Sequence, residues 1–386
     1  MAKPKLALIP ATQGSKLYSV LPADGVGDFT FSRGSSATRI NKDGLIETVA
    51  SGVSRLNYPL IDGVVNGCPS HLLEPSRTNS LPYSEDFSQW IGSSYITSNY
   101  AISPDGTLNA SRLLFTGAGQ EIKYNLTTSS STSGSIYVKG ISGKTIRFGL
   151  AGSENNFTLN GNWQKLEIQG TETSNKITLN TYGSVTARDL SIYGAQLEQG
   201  SFPTSYIKSN SGTTTTRSAE TANGSGNAST FNDSEGVLMA EISALDSSDT
   251  SSRRLGITKD GTYEGLRLQL GSGNISVTVY DGTTNQYNQT VNIDNSIFHK
   301  VALKYKTNDF ALWIDGIEYF PQSSGSTFVN GTLDDISFDY VGGNPFRGST
   351  KQIQYFDSAL NDSDLETLTS WTSFTDMANG QLYSIK

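Results

Sequence analysis

Between residues 111 and 193 the chain repeats one short pattern eight times, and that repetition constrains the fold more than any other feature. The runs are Ser111–Phe115, Glu121–Leu126, Gly134–Lys139, Ile146–Leu150, Phe157–Leu159, Gln164–Gln169, Lys176–Tyr182 and Ala187–Tyr193. Each is too short for an ordinary helix, and several alternate polar and apolar residues as a strand with one buried face does. Gly or Ser turns lie between them. Many short strands at regular spacing indicate an all-β sandwich. Only 35% of the 386 residues are apolar, 17% are charged and 39 are glycine, a balance that suits strands and turns better than amphipathic helices. With 10% aromatic residues the chain is globular rather than disordered.

The stretch Leu190–Arg217 divides the sequence. An alternating run ending at Tyr193 is broken by Gly194, resumes through Gln199, and passes Phe202-Pro203-Thr204-Ser205-Tyr206 into a tract of Ser, Thr, Asn and Gly. Residues 1–80 read as a turn-rich β segment. Within it Asn41-Lys42-Asp43-Gly44 forms a hairpin turn, because Gly44 accepts a left-handed backbone. Residues 81–208 form a first module. Residues 209–234 lack apolar periodicity and read as an extended or mobile linker. Residues 235–375 form a second module, in which His299–Lys306 and Phe310–Gly316 give a strong hairpin signal. Asn361 to Leu368 reads as a short helix, with a cap at Asn361 stapled by Leu360 and Leu365 or a capping box at Ser363. Residues 376–386 are a tail.

The formal net charge of −8 argues against non-specific nucleic-acid binding, which needs clustered Lys and Arg. Cys68 is the only cysteine, so neither an intrachain disulfide nor a cysteine zinc site is expected, and it reads as a small buried side chain. The N-terminus lacks the apolar run of a signal peptide, and no window approaches a membrane span. With only His71 and His299 there is no three-histidine metal site, and His299 reads as a surface or hydrogen-bonding residue. Gly143-Lys144-Thr145 is no phosphate loop, since Val138 stands where its first glycine belongs. Asp334 and Asp335 are candidates for glycoside hydrolysis or a Ca²⁺ site, but adjacent carboxylates on a strand face opposite ways. No other catalytic constellation emerges, so no enzymatic activity is expected.

Three stretches resemble segments that recur in tailed-phage virion proteins. They are Tyr193-Gly194-Ala195-Gln196-Leu197-Glu198 through Ile207, Phe31-Ser32-Arg33-Gly34-Ser35-Ser36-Ala37-Thr38-Arg39, and Leu72-Leu73-Glu74-Pro75-Ser76-Arg77-Thr78-Asn79. Tyr83 to Trp90 resembles the opening of a jelly-roll carbohydrate-binding module, and Ser135–Lys139 with Asn162–Leu166 fits the same pattern. Phe310–Gly316 and Phe346–Phe356 resemble a concanavalin-like (laminin-G-like) domain.

The resemblance implies tandem β-sandwiches, a jelly roll followed by a concanavalin-like unit, after an N-terminal attachment or oligomerisation segment. It implies a virion surface protein, made in the host cytoplasm, whose partners are other virion proteins and host cell-surface polysaccharide. The alternatives are a purely structural virion component and a polysaccharide-degrading spike. Virion appendages are usually symmetric, so a homotrimer is expected. Trp163 is the obvious sugar-stacking candidate, with Trp90, Tyr182 and Trp313 beside it, each against the reading of an aromatic packed in a core. Arg33, Arg39 and Arg55 are candidates for oligomer or attachment contacts: an anion site, or guanidinium bonds to carbonyls and carboxylates within and between subunits.

Overall fold

Asn274–Tyr280 shows how the strands arise. Ile275, Val277 and Val279 are fully buried on one face, while Asn274, Ser276 and Tyr280 are only partly buried on the other. β-Branched side chains at alternate positions fit a pleated, half-buried surface. The computed structural model describes residues 2–125, 131–150, 153–171, 176–183, 186–209, 212–259, 262–339, 341, 343–371 and 380–381. Leu126 and all of the 376–386 tail except Gly380 and Gln381 lie outside them. The architecture is all-β, with one α-helix among the described residues.

The first sandwich contains nine strands, from Ile96–Ile102 to Arg188–Gln199. Counted in chain order, one sheet holds the first, second, ninth, fourth and seventh; the other holds the third, eighth, fifth and sixth. The chain thus crosses between sheets repeatedly, which is jelly-roll connectivity. Ile122, Ile146, Phe148, Ile177 and Leu179 face Leu113, Ile136, Val138, Leu166 and Ile192 across the core, all at most 3% exposed. The expected break at Gly194 is a bulge within one continuous strand, Arg188–Gln199. Register slips there against Ser135–Tyr137, and Gly194 takes φ +59 with the Tyr206 ring 3.2 Å from where a Cβ would stand. The glycine interrupts the ladder and leaves the strand intact.

The second sandwich packs a nine-stranded sheet against a five-stranded one, Asn285–Asn292, Asn274–Tyr280, Gly265–Gly271, Arg253–Thr258 and Asp335–Ser337. The expected hairpin is present, turning through residues 307–309 with Asn308 at φ +60. Helix Asp362–Ser370 is capped by Asn361, whose Oδ1 accepts from the Asp364 amide at 2.9 Å. It lays Leu365 and Leu368 on the outer side of the large sheet.

The N-terminal segment does not stand apart. Leu6–Leu8 pairs with Ile353–Tyr355 and His71–Leu73 with Gly348–Thr350, so residues near both ends share the large sheet with Glu235–Ala244. Nor are residues 209–234 a free linker. Thr215–Arg217 pairs with Arg77–Asn79, and Thr221–Asn223 with Phe31 and its neighbours. Arg217 and Glu220 are buried along with Ala222 and Phe231. Apolar periodicity missed this because charged side chains hold the segment in place. Cys68, expected to be buried, is exposed on a loop.

Those charges belong to one cluster. Arg33 Nη1 donates to Glu220 Oε1 at 2.7 Å, and Arg55 Nε donates to the same atom at 2.9 Å. Arg55 also meets Glu74 at 2.9 Å, and Arg217 meets Glu74 at 2.8 Å. Glu198 accepts from the Thr204 amide at 2.7 Å, while Arg217 donates to Thr204 Oγ1 at 3.1 Å. These three arginines and three glutamates are all at most 3% exposed. Burial alone would raise the Glu74 carboxyl, but Arg217, Arg55 and two Ser205 bonds hold it down at about 2. Asn79 beside them fills its capacity, donating to Ala195 and Ile207 carbonyls and accepting from Leu81 and Leu197 amides. Removing one partner strands a buried charge. Glu220→Ala should lower unfolding free energy by about 3–5 kcal/mol in urea melts, whereas Arg39→Ala, at a half-open pair with Glu47, should cost less than about 1 kcal/mol.

The two histidines have opposite pH signs. His71 is buried beside Thr350, neither ring nitrogen has a partner, and burial lowers its pKa to about 3. The unfolded chain therefore binds a proton that the folded chain refuses. Stability from His71 is complete above about pH 6.5 and falls by about 1.4 kcal/mol per unit as pH drops towards 3. His299 Nδ1 meets Asp315 Oδ2 at 2.6 Å and Nε2 meets the Asp294 carbonyl at 2.9 Å, which raises its pKa against a smaller cost of burial. Its contribution is complete below its unfolded pKa and is lost as pH rises through the raised value. His71→Leu should flatten the stability curve between about pH 6 and 4, measured by chemical denaturation at stepped pH.

Candidate functional site

The four aromatic candidates separate by burial. Trp90 is 2% exposed, donates Nε1 to the Tyr83 carbonyl at 3.2 Å and lies tilted against Phe87 and Tyr124. Trp313 is 6% exposed and packs beneath the helix with Leu365 and Leu368. Neither offers a ring face to a sugar, so both are core residues. Trp90 closes the 3₁₀ turn Phe87–Gln89, and Trp313 lies on strand Phe310–Ile314, whose outer side the helix covers. Trp163 is half-buried, with Nε1 donating to the Ile102 carbonyl at 3.2 Å and its ring against the Ile46–Tyr206 cluster. Tyr182 is the one of the four with an exposed ring, 38% accessible.

Tyr182 lies at the end of the four-stranded sheet of the jelly roll, and that sheet's outer face is the best candidate site. Ile122, Ile177, Leu179, Ile146 and Phe148 point into the core. Alternation therefore turns Glu121, Lys123, Lys176, Thr178, Asn180 and Arg147 outward. Register aligns them in cross-strand rows. Glu121, Asn180, Arg147 and Asn156 form one; Lys123, Thr178, Gly149 and Glu154 form the next. A Cβ at Gly149 would lie 2.5 Å from the Glu154 Cα, so the edge strand's backbone crosses closely over the face where only glycine fits.

Ion pairs organise this surface. Glu121 contacts Lys123 and, at 3.4 Å, Lys176; Arg147 and Glu154 are 3.4 Å apart. Burial disfavours the charged form of Glu121, but the two lysines outweigh it and hold its carboxyl below the usual range. Thr178 Oγ1 donates to Glu121 Oε2 at 3.2 Å. Asn180 is fully buried; its Oδ1 accepts from the Tyr182 amide at 3.1 Å, while its Nδ2 has no hydrogen-bond partner. An unpaired buried amide is costly, by about 1–3 kcal/mol, and is relieved by any acceptor that reaches it. Tyr182 is close enough to Lys123 to perturb it. The face thus offers cationic and carboxylate groups with one aromatic ring at its edge, while Thr178 and Asn180 are buried.

The arginine candidates fall elsewhere. Arg33 and Arg55 are sealed inside the charge cluster, so neither guanidinium is open to a surface anion. Their buried partners are the reason: Glu74, Glu220 and backbone carbonyls already satisfy them. Arg39 is paired with Glu47 at 2.7 Å and borders a surface cavity of about 320 Å³ with Thr12, Asn41, Lys42 and Tyr58. Asp334 and Asp335 both line a shallow cavity of about 480 Å³ with Asn223 and Asn227, because Asp334 precedes the strand that Asp335 opens. Opposite faces were expected. Among the described residues no three His, Cys, Asp or Glu side chains come together as a metal-holding group.

Sequence reasoning passed over Glu121, Lys123, Arg147 and Asn180 because each is an ordinary polar residue on a strand. The available signal was the alternation itself, since the polar half of every run in one sheet must share one face.

No family model and no curated protein matches the chain. Solved structures do. The CBM40 of Ruminococcus gnavus IT-sialidase bound to alpha2,3 sialyllactose aligns at 14% identity over 36% of this chain and 84% of that one, with TM-score 0.32. Leech intramolecular trans-sialidase aligns at 15% identity over 37% of this chain and 24% of that one, with TM-score 0.32. Trypanosoma rangeli sialidase aligns at 16% identity over 43% and 27%, with TM-score 0.31. At TM-scores this low none of them assigns a ligand to this chain.

Burial sets the expected cost of truncating each aromatic. Trp313→Ala should destabilise by about 3–5 kcal/mol, and Tyr182→Ala should stay within about 0.5 kcal/mol, in parallel urea titrations followed by circular dichroism.

Proposed function

We propose that this chain is a non-catalytic component of a bacteriophage virion surface, a fibre, spike or head decoration, that contacts host cell-surface glycan. The contact surface is the outer face of the four-stranded jelly-roll sheet. The observation that carries the glycan reading is the set of paired charged side chains on that face, Glu121 with Lys123 and Lys176 and Arg147 with Glu154, with Tyr182 exposed at the edge. Sugar hydroxyls both donate and accept, so they suit a surface that mixes carboxylate and cationic groups. A flat ring beside those groups adds apolar contact area. The virion assignment rests on the three sequence stretches, and the net charge of −8 keeps nucleic acid out of the account.

A purely structural virion role is the second reading, and one observation favours it. The stretches that carry the resemblance supply Arg33, Glu74, Asn79, Glu198, Thr204 and Ser205, all spent on the internal junction. They speak for an architecture and not for a ligand.

Immobilised host-envelope polysaccharides, probed with the full chain, separate the two. At least one should retain the protein, and Tyr182→Ala combined with Arg147→Ala should weaken retention about tenfold, roughly 1.4 kcal/mol. If folded protein binds none of them, the glycan reading fails and the structural one stands.

A further inference from the structure

Four Asn-Gly pairs fall within the described residues: Asn66-Gly67, Asn160-Gly161, Asn223-Gly224 and Asn330-Gly331. Glycine has no side chain to shield its backbone nitrogen, so in such a pair that nitrogen can reach the asparagine amide carbon. The N–Cγ bond forms, the Cγ–Nδ2 bond breaks, and the amide nitrogen leaves as ammonia with the proton the glycine gave up. Water then opens the cyclic succinimide at either carbonyl, giving aspartate or isoaspartate. Two conditions must hold in the folded chain. The asparagine side chain must be free to swing over the glycine nitrogen, and that nitrogen must be free to attack.

Three of the four pairs fail at least one condition. Asn160 is held at both ends of its amide, Nδ2 donating to Asp62 Oδ1 at 3.0 Å and Oδ1 accepting from the Asn162 amide at 2.9 Å. Asn223 Nδ2 donates to Asp339 Oδ2 at 2.7 Å, and the Gly224 amide is spent on Ser337 Oγ at 3.1 Å. The Gly331 amide donates to Asp233 Oδ2 at 2.7 Å. Bonds to a carboxylate are among the stronger ones, and the Asp233 charge opposes the negative charge that builds on an attacking nitrogen.

Asn66 meets both conditions. It is exposed in the loop between the hairpin Leu60–Ile61/Val64–Val65 and the strand Ser70–Leu73. Its backbone amide bonds the Pro59 carbonyl at 3.0 Å, but neither its side chain nor the Gly67 amide has a hydrogen-bond partner among the described residues. The space is open too: a Cβ at Gly67 would meet nothing closer than Pro59 Cγ at 3.8 Å. We propose that Asn66 is a self-modification site, converting to aspartate and isoaspartate in the folded protein while the other three pairs are preserved by their bonds. The product adds one negative charge to the −8 of the chain. In isoaspartate the main chain also lengthens by a methylene, at the residue whose amide ties the base of the hairpin to Pro59.

Peptide mapping of the full chain, held folded at mildly alkaline pH, tests the proposal. The tryptic peptide spanning residues 56–77 should gain the mass of amide-to-acid conversion, with fragment ions placing the change at residue 66 and isoaspartyl methyltransferase accepting the product. Conversion there should run at least about tenfold faster than at Asn160, Asn223 or Asn330, a barrier difference of roughly 1.4 kcal/mol. In concentrated urea, where those bonds are gone, the four rates should converge. Asn66→Gln should abolish the change in that peptide and leave the melting temperature where it was. An Asn66 that stays an amide in the folded chain while reacting in urea overturns the proposal. So does any other pair that keeps pace with it in the folded chain, a tenfold lead that persists in urea, or a mass gain in residues 56–77 that survives Asn66→Gln.

Discussion

Three guanidinium groups and three carboxylates share a dry space where the N-terminal strands, the last strand of the jelly roll and the chain leaving it converge. Their formal charges cancel, and each sits in contact with opposite charge or with hydroxyl and amide donors. Desolvating such a group costs several kcal/mol per ion, so the cluster is tolerable only when every member is present. That condition forces separate parts of the sequence into one arrangement. Arg33 and Arg55 come from the opening segment, Glu198 from the jelly roll, and Arg217 and Glu220 from the tract beyond it. A direct bond from Gln169 to Asp246 at 3.0 Å adds a second tie between the sandwiches. The two units are therefore docked by polar chemistry rather than strung on a flexible tether.

The arrangement leaves the outer sheet face of the jelly roll free to carry function. Its hydrophobic side is committed to the core, so the opposite side can vary without loss of the fold, which is why sandwiches serve so often as platforms for contact. Charged pairs along the rows hold the side chains in place. The glycine at position 149 lets the edge strand close over them.

Much of the architecture was legible. The eight runs of the first module all appear as strands, because a run that alternates with period two has only one way to bury its apolar half. The hairpin turn at Gly44 was readable for the same local reason, a backbone conformation that glycine tolerates. The Asn361 cap was readable from side-chain chemistry within one turn. Where the reading failed, distant residues decided the outcome. Residues 209–234 looked unstructured because Arg217 and Glu220 carry no periodic signal, and their ion-pair partners Glu74, Arg33 and Arg55 lie more than 140 residues away. Trp90 and Trp313 looked like sugar platforms because a tryptophan carries no mark in the sequence of which distant side chains will cover it.

The sequence by itself determined which stretches become strands and where the turns fall. Those are consequences of residue type and spacing over a few positions. Only the tertiary structure decided that residues near both ends share a sheet, that the arginines face inward to glutamates, and that Asn180 is left with an unmet amide. Each depends on which segments meet across long loops, and the energy of a buried charge or an unpaired donor is set by its neighbours in space, not in sequence.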